Sequence, residues 1–220
     1  MKKLNLLIAS GWGESYSTWF PVEDINIVTD MHEADLVLFT GGEDVDPSIY
    51  HESKGSRTYS NLKRDSAEME VYEEALKYSV KMIGICRGSQ FLCCMAGGTL
   101  VQHMSHPSQH EINTWDGKVL RCVSTHHQMQ FPYRLPSSEY RVIGWANKIS
   151  NTYLNGDNTE FIYQGKILKM LEKFAEPEIV YYPHINALAI QSHPEMMSKD
   201  SEMVKYCQKL LTDFMEDKIS

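Results

Sequence analysis

Short apolar runs recur along this chain at Leu4–Ala9, Leu36–Phe39, Met82–Ile85, Val119–Val123, Tyr140–Trp145, Glu160–Tyr163 and Ala187–Ile190. Several are nearly continuous rather than alternating, the pattern of strands covered on both faces. Between them, Asp65–Val80 carries Met69, Tyr72, Leu76 and Val80 three or four apart, with acidic residues in its first turns, and predicts an amphipathic helix. A second helix is expected over Gly88–Ala96. A third, Ser201–Met215, aligns Val204, Cys207, Leu211, Phe214 and Met215 on one stripe, with Asp200 or Ser201 as its cap. Strand and helix alternate through the first half, which predicts a mostly parallel sheet with helices on both faces. From Val119 to Tyr163 strands follow one another through turns such as Asn155-Gly156-Asp157-Asn158, which predicts a small antiparallel annex. No repeat, low-complexity tract or linker divides the chain, so one α/β domain over residues 1–220 is expected.

A chain of 220 residues can bury one good core. A net charge of -8 at pH 7 argues against a nucleic-acid or anionic-membrane surface. No apolar stretch approaches the roughly 20 residues a membrane helix needs. The segment Met1–Ser10 reads as a buried first strand rather than an export signal, because its apolar core is short and Gly11-Trp12-Gly13 follows directly. Five irregularly spaced cysteines, Cys86, Cys93, Cys94, Cys122 and Cys207, fit a reducing, cytoplasmic setting better than a disulfide framework. Cys93 and Cys94 read as small core residues.

The chemistry concentrates at Met82-Ile83-Gly84-Ile85-Cys86-Arg87-Gly88-Ser89-Gln90. An apolar strand ends in Gly-Ile-Cys-Arg-Gly, a nucleophile elbow with cysteine in the place of serine. Glycines two before and two after Cys86 let neighbouring backbone pass closely. The helix leaving the turn points unpaired N–H groups at the sulfur and favours thiolate. Taken alone, the segment also fits a buried structural cysteine between two turn glycines.

A thiolate needs a base that later protonates the leaving amine, and the base needs an orienting acceptor. Gln191-Ser192-His193-Pro194-Glu195 offers both just past a predicted strand, the edge where open α/β sheets place their sites. In extended chain His193 and Glu195 would point the same way, so the carboxylate could hold the imidazole. A third segment, Leu36-Val37-Leu38-Phe39-Thr40-Gly41-Gly42, runs a strand into a bare Gly-Gly turn. N–H groups near Gly42, with that of Arg87, could form an oxyanion hole. An ordinary strand-ending turn explains Gly-Gly equally well when it stands alone.

Together these segments resemble the class I glutamine amidotransferase-like superfamily, and within it the γ-glutamyl-γ-aminobutyrate hydrolase branch grouped with peptidase family C26. Thr40-Gly41-Gly42-Glu43-Asp44-Val45-Asp46-Pro47-Ser48-Ile49-Tyr50 is similar to that branch's Pro-Gly-Gly-x-Asp-Val-x-Pro-x-x-Tyr signature, with Thr40 in place of proline. The elbow at Cys86, the Gly97-Gly98-Thr99-Leu100-Val101-Gln102 turn, Ser124-Thr125-His126-His127-Gln128 and Gln191–Glu195 follow in the family's order. His103 stands where an acidic residue is common, and the stretch from Gln102 to Val119 has no clear counterpart. The resemblance implies a three-layer sandwich around a central sheet and a Cys86–His193–Glu195 triad acting on γ-glutamyl amides through a thioester. It needs no cofactor and no metal. The branch implies a free-standing hydrolase of a small γ-glutamyl substrate. The alternative is a glutaminase subunit that passes ammonia to a separate synthetase, and a homodimer stays open.

Gln90, one helical turn past Cys86, is placed to contact a bound glutamyl group. His126, His127 and Gln128 are expected at the substrate through the resemblance. Arg57 and Arg64 could meet a substrate carboxylate bidentately, although one at least reads as surface charge. His103, His106 and His110, three and four apart, invite a zinc reading. Pro107 breaks any helix through them and no cysteine or carboxylate pair completes four ligands, so no metal is expected there.

Overall fold

The computed structural model describes residues 3–10, 13–157 and 159–219. Its first half runs β1 (Lys3–Ile8), β2 (Asp24–Val28), β3 (Leu36–Phe39), α1 (Leu62–Lys77), β4 (Lys81–Ile85) and α2 (Arg87–Met95). Then come β5 (Thr99–Val101), β6 (His103–Met104), β7 (Gln109–Thr114), β8 (Val119–Val123), β9 (Met129–Phe131) and β10 (Arg141–Asn147). Short strands β11 (Tyr153–Asn155), β12 (Thr159–Glu160), β13 (Ile162–Tyr163) and β14 (Lys166–Ile167) precede β15 (Ala175–Tyr182), β16 (Ala187–Ile190) and α3 (Glu202–Met215).

Among the described residues a nine-stranded sheet orders β2-β1-β3-β4-β16-β15-β10-β7-β8. The strands from β2 to β16 are parallel. The edge formed by β15, β10, β7 and β8 is antiparallel and extends the same sheet. Alternate residues of each central strand feed opposite layers, as the two-residue strand period requires. Leu36, Leu38, Ile83, Ile85, Leu188 and Ile190 pack with Met203, Val204, Leu211 and Phe214 of α3. Val37, Phe39, Met82 and Ala189 pack with Tyr72 and Ala75 of α1 and with Phe91 and Leu92 of α2. The three-layer sandwich expected from the sequence is therefore present. The small sheets β12-β11-β6, β5-β9 and β13-β14 flank it and enclose a separate apolar cluster around Phe131 and Phe161.

Helix α1 begins three residues before the expected Asp65, because the Asn61 side chain accepts the N–H of Arg64 and caps it there. Ser201 caps α3 by accepting the N–H of Val204. The apolar run Glu160–Tyr163 does not form one strand. Phe161 is fully buried and its N–H donates to the carbonyl of Tyr153, splitting the run into β12 and β13. Asn158 of the expected turn lies outside the described residues.

Candidate active site

Three neighbouring parallel strands end side by side and deliver the site. Ile85 of β4 pairs with Ile190 of β16, and Gly84 pairs with Phe39 of β3. The residues just beyond these ends are Cys86, His193 and the Thr40–Gly42 turn, at the carboxyl edge where such sheets place their sites.

Cys86 adopts φ 52 and ψ −108 at the start of α2. A non-glycine residue in this region is strained, and the surroundings hold it there. Its N–H donates to Ile190 O at 2.9 Å, and its carbonyl accepts from Ser89 Oγ at 2.6 Å. The two elbow glycines are sterically required. A Cβ on Gly84 would lie 2.3 Å from the carbonyl oxygen of Gly88, and one on Gly88 would lie 2.0 Å from that of Phe39.

His193 and Glu195 meet through a tight turn rather than an extended segment, since Pro194–Met196 forms a 3₁₀ turn. The Nδ1 of His193 donates to Oε1 of Glu195 at 2.6 Å. Its Nε2 lies 2.8 Å from the hydroxyl of Thr125. Burial alone would lower the pKa of His193, but hydrogen bonds to Cys86 and Glu195 outweigh it and raise the value to about 10. The arrangement thus favours imidazolium beside the thiol, with Nδ1–H locked toward the carboxylate.

Cys86, His193 and Thr125 line one cavity of about 230 Å³, together with Tyr16, Gly42, Asp44, Arg87, Gln90, His126, His127 and Met196. The N–H of Arg87, first residue of α2, belongs to the unpaired turn that every helix starts with. Gly42 has φ 145, and a Cβ there would strike Arg64. Arg64 does not face the cavity. It donates to the carbonyl oxygens of Thr40 and Gly41 and to the Thr40 hydroxyl, at 3.1–3.2 Å, and so braces the Gly-Gly turn. Its Nε donates to Glu68 at 2.9 Å. The side chain of Arg87 is buried beneath the elbow against Asp65 and Glu68. Arg57 is exposed at the surface.

Gln90 is buried and its Nε2 donates to the carbonyl of Gln128 at 2.9 Å. Gln128 itself does not line the cavity. Its carbonyl also accepts from Nδ1 of His126 at 2.7 Å, so it orients two cavity residues from behind. Burial pushes the pKa of His126 down to about 3, leaving a neutral ring turned into the protein. His127 is half-buried and its Nε2 contacts Asp44 at 3.1 Å. His103 pairs with His127 at 3.3 Å rather than with His106 and His110.

Residue-by-residue reading overlooked Thr125, Tyr16 and Asp44. Thr125 adjoins His126-His127, but nothing in its type announces a partner for His193. Tyr16 lies in a polar stretch far upstream. Its phenol is pushed up in pKa by burial and by the charges of Glu195 and Cys86, and it fills the space beside Gly41. No helix among the described residues is long and apolar enough to cross a membrane.

Comparison with known proteins places the chain among relatives. A putative glutamine amidotransferase-like protein of Lactococcus lactis subsp. cremoris, a YvdE homologue, is 33% identical over 128 residues, covering 56% of this chain and 68% of that protein. NtpR of Enterococcus hirae is 31% identical over 102 residues, covering 41% of this chain and 43% of NtpR, so the chain spans under half of that relative. In fold it resembles a glutamine amidotransferase from Thermotoga maritima, with TM-score 0.53 at 16% identity over 98% of this chain and 86% of that one. The peptidase C26 family model matches residues 14–148, more than half of the sequence and including the elbow, and the chain belongs to that family.

Proposed function

We propose that this chain hydrolyses the amide bond of a γ-glutamyl compound, glutamine or a γ-glutamyl conjugate, through a thioester on Cys86. The observation that carries this reading is the convergence of Cys86, His193 and Gly42 in one small cavity, with Glu195 holding His193 from outside it. The Cys86 thiolate attacks the γ-carbonyl, and the carbonyl oxygen takes on charge facing the N–H groups of Gly42 and Arg87. Collapse of the tetrahedral intermediate breaks the C–N bond as His193 gives its proton to the departing amine. Water then enters, His193 takes its proton, and attack on the thioester releases glutamate and restores the thiolate. Glu195 holds Nδ1–H throughout. Gln90 and His127 are the side chains placed to read the glutamyl group.

The test is glutamate release by the purified chain alone from glutamine, γ-glutamyl-aminobutyrate and γ-glutamyl dipeptides. Turnover of at least one of these is expected. Silence on the whole panel, relieved only by an ATP-dependent synthetase, would replace this reading with that of an ammonia-supplying glutaminase subunit. Silence in both arms would overturn both.

A further inference from the structure

A second polar cluster borders the cavity at His126 and runs into the protein behind it, where His106, His110, Cys122 and Glu178 have no step in the proposed hydrolysis. His106 precedes β7, His110 lies on β7 opposite Cys122 of β8, Glu178 lies on β15, and His126 follows β8. The side chains of His106, His110 and Glu178 are at most 4% exposed, and His126 is buried as well. The ligand atoms of His106, His126 and Glu178 all lie within 4.8 Å of one another, as do those of His110, Cys122 and Glu178.

Within the cluster His110 Nε2 meets Glu178 Oε1 at 2.9 Å, and three other buried atoms are left without a partner. Nδ1 of His126 faces the carbonyl of Gln128 at 2.7 Å, and Nδ1 of His106 faces that of Pro107 at 3.0 Å. A carbonyl can only accept, so each Nδ1 carries the proton and each Nε2 of the neutral ring presents a lone pair. Both Nε2 atoms and Oε2 of Glu178 are buried without any hydrogen-bond partner. Three acceptors turned toward one another in the interior are unfavourable unless something positive lies between them. Histidines that donate one nitrogen to a backbone carbonyl and offer the other inward have the usual second-contact pattern of metal ligands.

We propose that His106, His126 and Glu178 bind one divalent transition-metal ion of the zinc class, with His110 or Cys122 completing the coordination. Imidazole, thiolate and carboxylate are the donors such ions take. Ligand atoms around a tetrahedral ion at about 2.0–2.1 Å stand roughly 3.3 Å apart. His106 Nε2 to Glu178 Oε1 is 3.5 Å, and His110 Nε2 to the same oxygen is 2.9 Å. The absence of a completing cysteine or carboxylate near the histidines in sequence argued against metal, and β8 and β15 bring both to them in space. The ion would tie the β7–β8 hairpin and β15 to the Ser124–Gln128 segment, which carries Thr125 against His193 and His127 into the cavity. Its place is structural, behind the triad.

The tag-free chain, stripped with chelator, is titrated with Co²⁺ and then Zn²⁺. One Co²⁺ per chain with the intense d–d absorption of a four-coordinate site, displaced by Zn²⁺, is expected, with a Tm raised by Zn²⁺. His106→Gln and Glu178→Gln, each shown folded by circular dichroism, should weaken affinity by at least about 10–100-fold, the loss that even an outer-contact substitution causes. If Glu178→Gln fails to fold, the result with His106→Gln decides. No binding by the wild-type chain, or unchanged affinity in the folded variants, overturns the site. Glutamate release is scored separately, so this result and the proposed reaction stand or fall independently.

Discussion

Replacing Glu195 by Gln keeps the side chain's shape and removes its charge. In the native site Oε1 accepts the Nδ1 proton of His193 at 2.6 Å, a contact whose side chains are 7% and 3% exposed. A hydrogen bond to a charged group contributes about 1.5–3 kcal/mol, so losing its ionic part should slow kcat/KM by roughly 10- to 150-fold. His193→Ala removes the proton donor and acceptor outright and should cost more, about 10²–10⁴-fold. The pH profile carries a sharper sign. Folding raises the pKa of His193 from 6.5 to about 10, against the opposing effect of burial. If the active form is thiolate with imidazolium, activity falls on the alkaline side as that proton is lost. Glu195→Gln removes one of the groups holding the proton, so its alkaline limb should move to lower pH. Stability follows the same logic. A pKa raised by folding stabilises fully below the unfolded value, and the contribution is lost as pH climbs through the folded value. Denaturant unfolding should therefore show a wider gap between wild type and Glu195→Gln near pH 6.5 than near pH 10. The measurement is glutamate release across pH alongside those unfolding curves. An unshifted alkaline limb, or a Glu195→Gln enzyme slower than His193→Ala, would refute the assigned roles.

Cys86→Ala should abolish turnover, and a γ-glutamyl-like diazoketone should label Cys86 in the peptide map. Label on Cys93, Cys94, Cys122 or Cys207, none of which lines the cavity, would reject the nucleophile. Gly88→Ala sets a Cβ 2.0 Å from the carbonyl oxygen of Phe39, backbone that cannot step aside. It should destabilise by at least the 1–3 kcal/mol typical of overpacking, about the upper end, and chemical denaturation at wild-type stability would contradict the elbow geometry. Arg64→Ala removes the bonds to Thr40 and Gly41 and should lower kcat more than it raises KM, by up to about 10²–10³-fold, the cost of a lost oxyanion donor. A change in KM alone would show instead that Arg64 meets the substrate.

Much of the fold was legible where local pattern and tertiary role agree. The fully buried strands at Leu36–Phe39 and Ala187–Ile190 announce themselves as continuous apolar runs, because both faces are covered. β15 does not. Its sequence Ala175-Glu176-Pro177-Glu178 reads as a loop, yet it lies in the sheet with both glutamates buried. Pro177 is tolerated where the register with β10 shifts around Gly144 and Trp145, and Oε1 of Glu176 accepts the N–H groups of Ile149 and Ser150. Only neighbours distant in the chain supply those partners, so no window of sequence can reveal them.

The site divides the same way. The elbow was readable because the steric demands on Gly84, Cys86 and Gly88 are local, set by one strand, one turn and one helix. The His193–Glu195 pair was readable because its members lie two positions apart in the chain, although it forms through a 3₁₀ turn rather than an extended strand. What brings Cys86, His193 and Gly42 together is the parallel alignment of β3, β4 and β16, in which β4 and β16 lie more than a hundred residues apart in sequence. The contact of Thr125 with His193, the brace of Arg64 on the Gly-Gly turn and the meeting of His106, His126 and Glu178 have the same origin. Side-chain type and spacing determine what each segment can do chemically. Long-range strand pairing decides which segments face one another, because its stabilisation comes from burial and hydrogen bonding that no single segment contains.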